Sequence, residues 1–276
     1  RRFQKLVEEA PAPHLSDPVR AALHAAAVAL ARHLRYRGLG TVEFLVDDRE
    51  HFHFLEMNAR IQVEHPVTEA ICGVDLVAEQ IAVAEGQPLR LRQEQIVFSG
   101  HAVECRINAE DWARDFRPSP GILAQVEFPV GAGIRVDTHV QAGAQVPPYY
   151  DSLLAKLIVH GSDRPDALRR LSAALDRCVI RGVESNLGLH AALLNTGDFH
   201  HGGVHTGWLP GFLERYAAAG GVQPSVADRF TRGVIVHLRR KHGLADHRTR
   251  LRGQGLLMLE EVSRLLREGI FGEERN

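Results

Sequence analysis

Phe54-Leu55-Glu56-Met57-Asn58-Ala59-Arg60-Ile61-Gln62-Val63-Glu64-His65-Pro66 is the stretch on which the fold turns. It closes a β-rich run, His51–Met57, that follows another, Thr41–Val46, across the polar residues Asp47-Asp48-Arg49-Glu50. Two such runs joined by a short polar turn predict a β-hairpin. Side chains alternate faces along a strand, so Glu56, Asn58 and Arg60 project to one side, and Glu43 on the partner strand reaches it if the register matches. Two carboxylates and an amide oxygen converging on a point are hard ligands that suit Mg²⁺ or Mn²⁺. A carboxylate pair can equally act as general acid and base. A solvated strand face would account for Glu-x-Asn-x-Arg with no site at all. Arg60, with Lys5 and Arg135, would gather around an anionic ligand, which favours metals bridged by phosphate oxygens.

Working outward, Lys5–Glu9 reads as a short extended segment that runs into Pro11 and Pro13. Asp17-Pro18 marks a helix start, with Leu23, Ala27, Leu30 and Leu34 at helical spacing and Gly38 and Gly40 closing it. A short helix is expected from Pro66 to near Gly73, and a second, N-capped by Asp75, to Gly86. Gln87 to Glu94 reads as a linker. Beyond it, His101–Asn108 and Leu153–His160 read as strands, and Pro118-Ser119-Pro120-Gly121 as a sharp loop. Short β segments are expected around Ile122–Phe128 and Ile134–Val140, and a helix over Arg164–Arg177 with Leu168, Leu171 and Leu175 on one side. From Leu209 onward the pattern is mostly helical, with glycine breaks at Gly220-Gly221 and Gly243. The expected class is mixed α/β, in three stretches: 1–97, 98–208, and a helical extension over 209–276.

The bulk properties narrow the function. With 276 residues and a net charge of -1, the chain has no basic field for nucleic acid or an anionic membrane. No apolar run approaches the length of a membrane span. The three cysteines, Cys72, Cys105 and Cys178, are scattered and suit free thiols in a reducing, cytoplasmic setting. The sixteen histidines show no HExxH pattern. The chain opens Arg1-Arg2-Phe3-Gln4-Lys5 in mid-pattern, as a piece of something longer would.

Phe54–Ile61 is similar to the ATP-grasp signature shared by biotin carboxylases and carbamoyl-phosphate synthases, and Gln62–Glu69 resembles the biotin carboxylase version. Further blocks carry the same resemblance in order: Gln4–Pro11, Gly100–Glu110, Pro118–Gly121 and Pro147-Pro148-Tyr149-Tyr150-Asp151-Ser152. The resemblance covers Arg1 to about Trp208, and implies the carboxyl-terminal part of an ATP-grasp domain followed by the biotin carboxylase carboxyl-terminal domain. It implies that Glu43, Glu56 and Asn58 hold two Mg²⁺ or Mn²⁺ ions between ATP phosphates, and that Lys5 faces bicarbonate and the transferring phosphoryl group. Arg60, Gln62 and the Val63 backbone would form the bicarbonate pocket. Glu64 would be the general base, Arg135 would stabilise the biotin enolate, and Leu45 would line the adenine side.

The resemblance also implies an upstream glycine-rich lid, adenine hinge and amino-terminal domain, without which the 276 residues should not turn over. Phe3 stands where the family usually has histidine near the nucleotide. No Met-Lys-Met biotin-attachment motif occurs, so biotin would ride on a separate carrier domain. Further partners would be a second copy of the chain and a carboxyltransferase subunit. Gly202–Trp208 leans towards an acyl-CoA carboxylase alpha subunit. Rival readings are a ligase of the carbamoyl-phosphate synthase kind and a non-catalytic truncated subunit. Among the other residues, Tyr149-Tyr150 are expected to pack rather than touch biotin, and Cys105 to be an inert core thiol. Glu104 and Arg106 are expected to pair or to back the site, and His65 to support it. The tail from Ser225, with Arg239-Arg240-Lys241 beside Leu256–Leu266, would be a docking helix or a solvated extension.

Overall fold

The computed structural model describes residues 5–219. Strand β1 (Val7–Ala10) leads to helix α1 (Asp17–His33), then to the hairpin β2 (Thr41–Val46) and β3 (Phe52–Asn58). Helices α2 (His65–Cys72) and α3 (Leu76–Ala84) precede β4 (His101–Asn108). Short strands follow: β5 (Glu110–Asp111), β6 (Arg117–Pro118), β7 (Gly121–Ile122), β8 (Gln125–Glu127), β9 (Ile134–Thr138) and β10 (Gln145–Val146). The described chain then runs through β11 (Leu153–Gly161), α4 (Arg164–Leu175), β12 (Val179–Arg181), α5 (Leu187–Leu193), α6 (Gly197–His201) and α7 (Trp208–Ala218). Among the described residues no helix is long and apolar enough to cross a membrane. The Gly220-Gly221 and Gly243 breaks, the tail from Ser225 and residues 1–4, Phe3 included, lie outside the described residues.

The main sheet has the order β1-β4-β11-β9 and is antiparallel throughout. The extended segment at the start of the chain thus pairs with a strand about a hundred residues downstream. One face of this sheet, built by Val103, Cys105, Ile107, Leu157 and Val159, packs against Leu168, Leu171 and Leu175 of α4, Leu189 of α5 and Phe212 of α7. Strand alternation turns Glu8, Glu104, Arg106, Arg135, Asp137 and Lys156 to the other face. Helix α2 covers that face, with Val67 and Ile71 against Ala10 and Ala102. A charged layer therefore lies between the sheet and α2, and the site is built at its edge.

Several boundaries differ from the sequence expectation for local reasons. Helix α1 is N-capped by Ser16 rather than Asp17, and it stops at His33, well before Gly38, because Arg35 takes a left-handed conformation. The apolar positions of α1 bury no residue. Tyr149 and Tyr150 do not pack: they are 88% and 82% exposed, which corrects the expectation of a buried aromatic anchor. Cys105 is buried and apolar contacts surround it, as expected of an inert thiol. Burial pushes its thiol well above the ordinary value, aided by nearby Glu8.

Candidate functional site

The hairpin turn is a local solution to backbone hydrogen bonding. Asp47 Oδ1 accepts from the amides of Arg49 and His51 at 2.9 and 2.8 Å, and Glu50 adopts a left-handed φ of 61°. Glu50 then accepts from the Ser16 amide at 2.6 Å, which ties the turn to the start of α1. The register places Glu43 directly opposite Glu56 and Thr41 opposite Asn58. Strict alternation would put Phe54 on the acidic face as well. The register instead shifts between Glu43 and Phe44, leaving Leu55 as the extra residue of a bulge. Phe44 stands edge-on to Phe52 and Phe54, on the side opposite Glu43. The bulge thus separates an aromatic face from an acidic one.

On the acidic face the side chains converge. Asn58 Nδ2 donates to Glu43 Oε1 at 3.1 Å and to Glu56 Oε1 at 2.9 Å. Arg60 Nη2 donates to Asn58 Oδ1 at 3.3 Å, and its Nη1 donates to Gln62 Oε1 at 3.2 Å. Gln62 Nε2 closes the ring by donating to Glu43 Oε1 at 3.1 Å. Lys5 Nζ lies between two carboxylates, 3.2 Å from Glu43 Oε1 and 2.5 Å from Glu64 Oε1. Leu45, two residues along β2 from Glu43, is half exposed.

Glu64 owes its position to the start of α2. It occupies the N-cap, but its carboxylate makes no capping bond. It is instead held by Lys5 and by Arg106 Nη2 at 2.9 Å. The His65 ring Nδ1 donates to the Gln62 carbonyl at 2.7 Å, a structural role that fixes the bend before the helix. Burial works to raise the Glu64 carboxyl, but the Lys5 ammonium and Arg106 outweigh it and hold the group below the ordinary value. Burial likewise works against the Lys5 charge, and Glu64 and Glu43 overcome it, so the lysine is held above its ordinary value. The two side chains thus form a charged pair: a carboxylate free of its proton beside a retained ammonium.

Arg135 sits in a neighbouring network. Its Nε and Nη2 donate to Asp137 at 2.7 and 2.9 Å, and Nη1 donates to Glu69 Oε2 of α2 at 2.6 Å. Asp137 is also 3.2 Å from Lys156 Nζ, which donates to the Val63 carbonyl at 3.0 Å. Lys156 therefore connects Arg135 to the backbone beside Glu64. Among the described residues the hydrogen bonds to the Glu64 side chain come from Lys5 and Arg106 and not from Arg135. The expected Glu104–Arg106 pairing is corrected: Arg106 Nε donates to Glu8 Oε1 at 2.5 Å, and neither Glu104 oxygen has a hydrogen-bond partner. Glu8, Glu69, Asp137 and Lys156 do not stand out as site residues from sequence, although the alternation Glu104-x-Arg106 and the lone Lys156 in Leu154–Val159 carry the signal.

The two carboxylates fit a hard divalent cation, whereas Asn58 turns its Nδ2 towards them and its Oδ1 towards Arg60, and would present that oxygen to a cation only with the amide turned over. Among the described residues no group of three or more His, Cys, Asp and Glu side chains is poised to hold a metal. Glu43, Glu56 and Asn58 would therefore leave coordination positions to phosphate oxygens and water, as Mg²⁺ prefers.

Residues 104–211 match the model of the biotin carboxylase C-terminal domain, and residues 1–92 that of the carbamoyl-phosphate synthase L chain ATP-binding domain. The biotin carboxylase of Nostoc sp. is 51% identical over 209 residues, covering 76% of this chain and 47% of the relative. The chain belongs to the biotin carboxylase family. The biotin carboxylase of Haemophilus influenzae is 49% identical over 209 residues, 76% of this chain and 46% of that one. Among solved structures, the biotin carboxylase domain dimer of Hydrogenobacter thermophilus 2-oxoglutarate carboxylase, in complex with MgADP, ADP and bicarbonate, matches with a TM-score of 0.75. It is 44% identical and covers 76% of this chain and 47% of the other. The chain spans about half the length of the curated biotin carboxylases it matches.

Proposed function

We propose that the full-length protein carboxylates carrier-bound biotin at the expense of ATP, using bicarbonate as the carbon source. The observation that carries this reading is the Lys5 ammonium shared between Glu43 and Glu64, because it joins a metal-ligating face to a poised base. Glu43, Glu56 and Asn58 would hold the divalent cations, Mg²⁺ or Mn²⁺, whose bound charge draws electron density from the ATP phosphate oxygens. Lys5, Arg60, Gln62 and the Val63 backbone bind and orient bicarbonate. Glu64 takes the bicarbonate proton as the bicarbonate oxygen attacks the γ-phosphorus and ADP leaves, giving carboxyphosphate. Carboxyphosphate breaks to CO₂ and phosphate, the released phosphate takes the ureido N–H proton of biotin, and the deprotonated nitrogen captures the CO₂. Arg135 offsets the negative charge on the biotin enolate oxygen, and Leu45 lines the adenine side.

In this reading residues 1–97 complete an ATP-grasp domain, 98–208 form the biotin carboxylase carboxyl-terminal domain, and 209–276 add an extension. Because the chain spans about half the length of its relatives, turnover is assigned to the full-length protein, where a glycine-rich lid closes over the phosphates. The partners are a biotin carboxyl carrier domain, a second copy of the chain and a carboxyltransferase subunit. Free thiols at Cys72, Cys105 and Cys178 support a cytoplasmic setting. The carbamoyl-phosphate synthase reading shares the metal and bicarbonate chemistry, but the biotin carboxylase match over 104–211 weighs against it.

The test is ATP cleavage by the full-length protein with bicarbonate and free biotin varied independently. Cleavage that needs bicarbonate and rises with biotin is expected. Cleavage indifferent to biotin but stimulated by ammonia would assign the protein to the carbamoyl-phosphate type instead.

A further inference from the structure

Strand β4 is buried almost from end to end, yet its α2-facing side carries Glu104 and Arg106. Glu104 is 0% exposed, and both of its carboxylate oxygens lack a hydrogen-bond partner. Glu8 stands directly opposite it in β1, and Glu8 Oε2 is likewise buried and unpartnered. Residues directly opposite in an antiparallel pair bring their Cβ atoms to about 4.5–5.5 Å, so the two carboxyl groups are neighbours. The surrounding cations are already engaged. Arg106 bridges Glu8 and Glu64, Lys156 holds the Val63 carbonyl and Asp137, and Lys5 holds Glu43 and Glu64. On its β11 side, Glu104 faces the apolar Ile158. A buried carboxylate without a partner is costly, and two side by side cannot both stay ionised. A carboxylic acid, unlike a carboxylate, can donate to the unpartnered oxygen beside it.

We propose that Glu8 and Glu104 share one proton, and that this singly charged pair, acting through Arg106, positions Glu64. The pair lies behind the site, and its action on Glu64 rests on the function proposed above, whereas the shared proton does not. With one proton retained, Glu8 Oε1 sits against both Nε and Nη2 of Arg106, and Nη2 is shared with Glu64 at 2.9 Å. Loss of that proton adds a second negative charge beneath Arg106, draws the guanidinium towards β1 and weakens its hold on Glu64. The electrostatics agree in direction. Burial raises Glu8 to about 7 against the pull of Arg106, and burial together with Glu8 raises Glu104 to about 8. Such coupled groups titrate as a pair rather than singly.

The shared proton can be tested on this chain without any turnover, by carboxyl ¹³C NMR of glutamate-labelled protein, with Glu8→Gln and Glu104→Gln as assignment variants. One carboxyl titration near or above neutral pH is expected. It should vanish in each variant, with the remaining carboxyl moving to lower pH. Both signals fully ionised at pH 6 would overturn the shared proton. A second readout guards against variants that fold poorly. The folded state binds this proton more tightly than the unfolded state, so wild-type stability should fall as pH rises from the ordinary carboxylate range through about 7 to 8. A urea midpoint flat across that range would also overturn it. The positioning role is tested in the full-length protein. Glu104→Gln, a neutral mimic of the protonated acid, should shift the alkaline limb of the bicarbonate-dependent kcat/KM profile to higher pH. An unmoved profile would overturn the coupling to Glu64. An inactive wild-type protein would count against the proposed function and leave the proton pair standing.

Discussion

Glu64→Gln in the full-length protein is expected to lower bicarbonate-dependent ATP cleavage by roughly 10²–10⁴-fold, the range over which a positioned general base contributes. Bicarbonate attacks poorly while it keeps its proton, and Glu64 is the carboxylate that Lys5 and Arg106 hold ionised beside the proposed metal site. Glutamine keeps the volume and one acceptor for those two donors, so the α2 start and its His65–Gln62 bond should survive. The loss should fall on kcat and kcat/KM together, because proton removal belongs to the transition state. Steady-state kinetics with circular dichroism as a control checks this. Near-normal turnover in a folded variant would remove Glu64 from the base role.

Arg106→Met should instead act on stability. Arg106 is the residue that links Glu8 on β1 to Glu64 on the α2 start, at 2.5 and 2.9 Å, and it is largely buried. Methionine fills much of the space but strands Glu8 with no cation directly bonded, beside the already unpartnered Glu104, and leaves Glu64 to Lys5 alone. Breaking a buried ion pair by removing one partner costs about 3–5 kcal/mol. The cost should shrink as pH falls and the stranded carboxyls protonate. Urea denaturation of this chain at pH 7.5 and pH 5.5 reads both effects. A loss below about 1 kcal/mol, well short of the range for breaking a buried pair, would mean that water reaches the carboxylates.

These two substitutions also mark the limits of reading the sequence. The hairpin was legible because alternating residues flank a polar turn, and Glu43, Glu56 and Asn58 do meet on one face. The bulge at Leu55 was not, since an extra residue in one strand is a property of the pairing and not of either strand alone. Arg106 stood out as polar, but its partners depend on β1 docking against β4 and on α2 folding over both. The Glu8–Arg106 contact spans 98 residues, so local spacing could not reveal it. Tyr149-Tyr150 failed for the opposite reason: aromatic character suggested a core, and the chain presents both rings to solvent. Helices α5 and α6 escaped because they are short, the latter fixed by Thr196 accepting from the Phe199 amide.

Hard-ligand chemistry at the hairpin is what the proposed function depends on most. Its most direct test is Mn²⁺ binding by electron paramagnetic resonance, with ADP present, in the full-length protein and its Glu43→Gln/Glu56→Gln variant. Nucleotide-dependent Mn²⁺ binding that disappears in the variant is the predicted result. Undiminished binding in a folded variant would place the metal elsewhere and contradict the central claim.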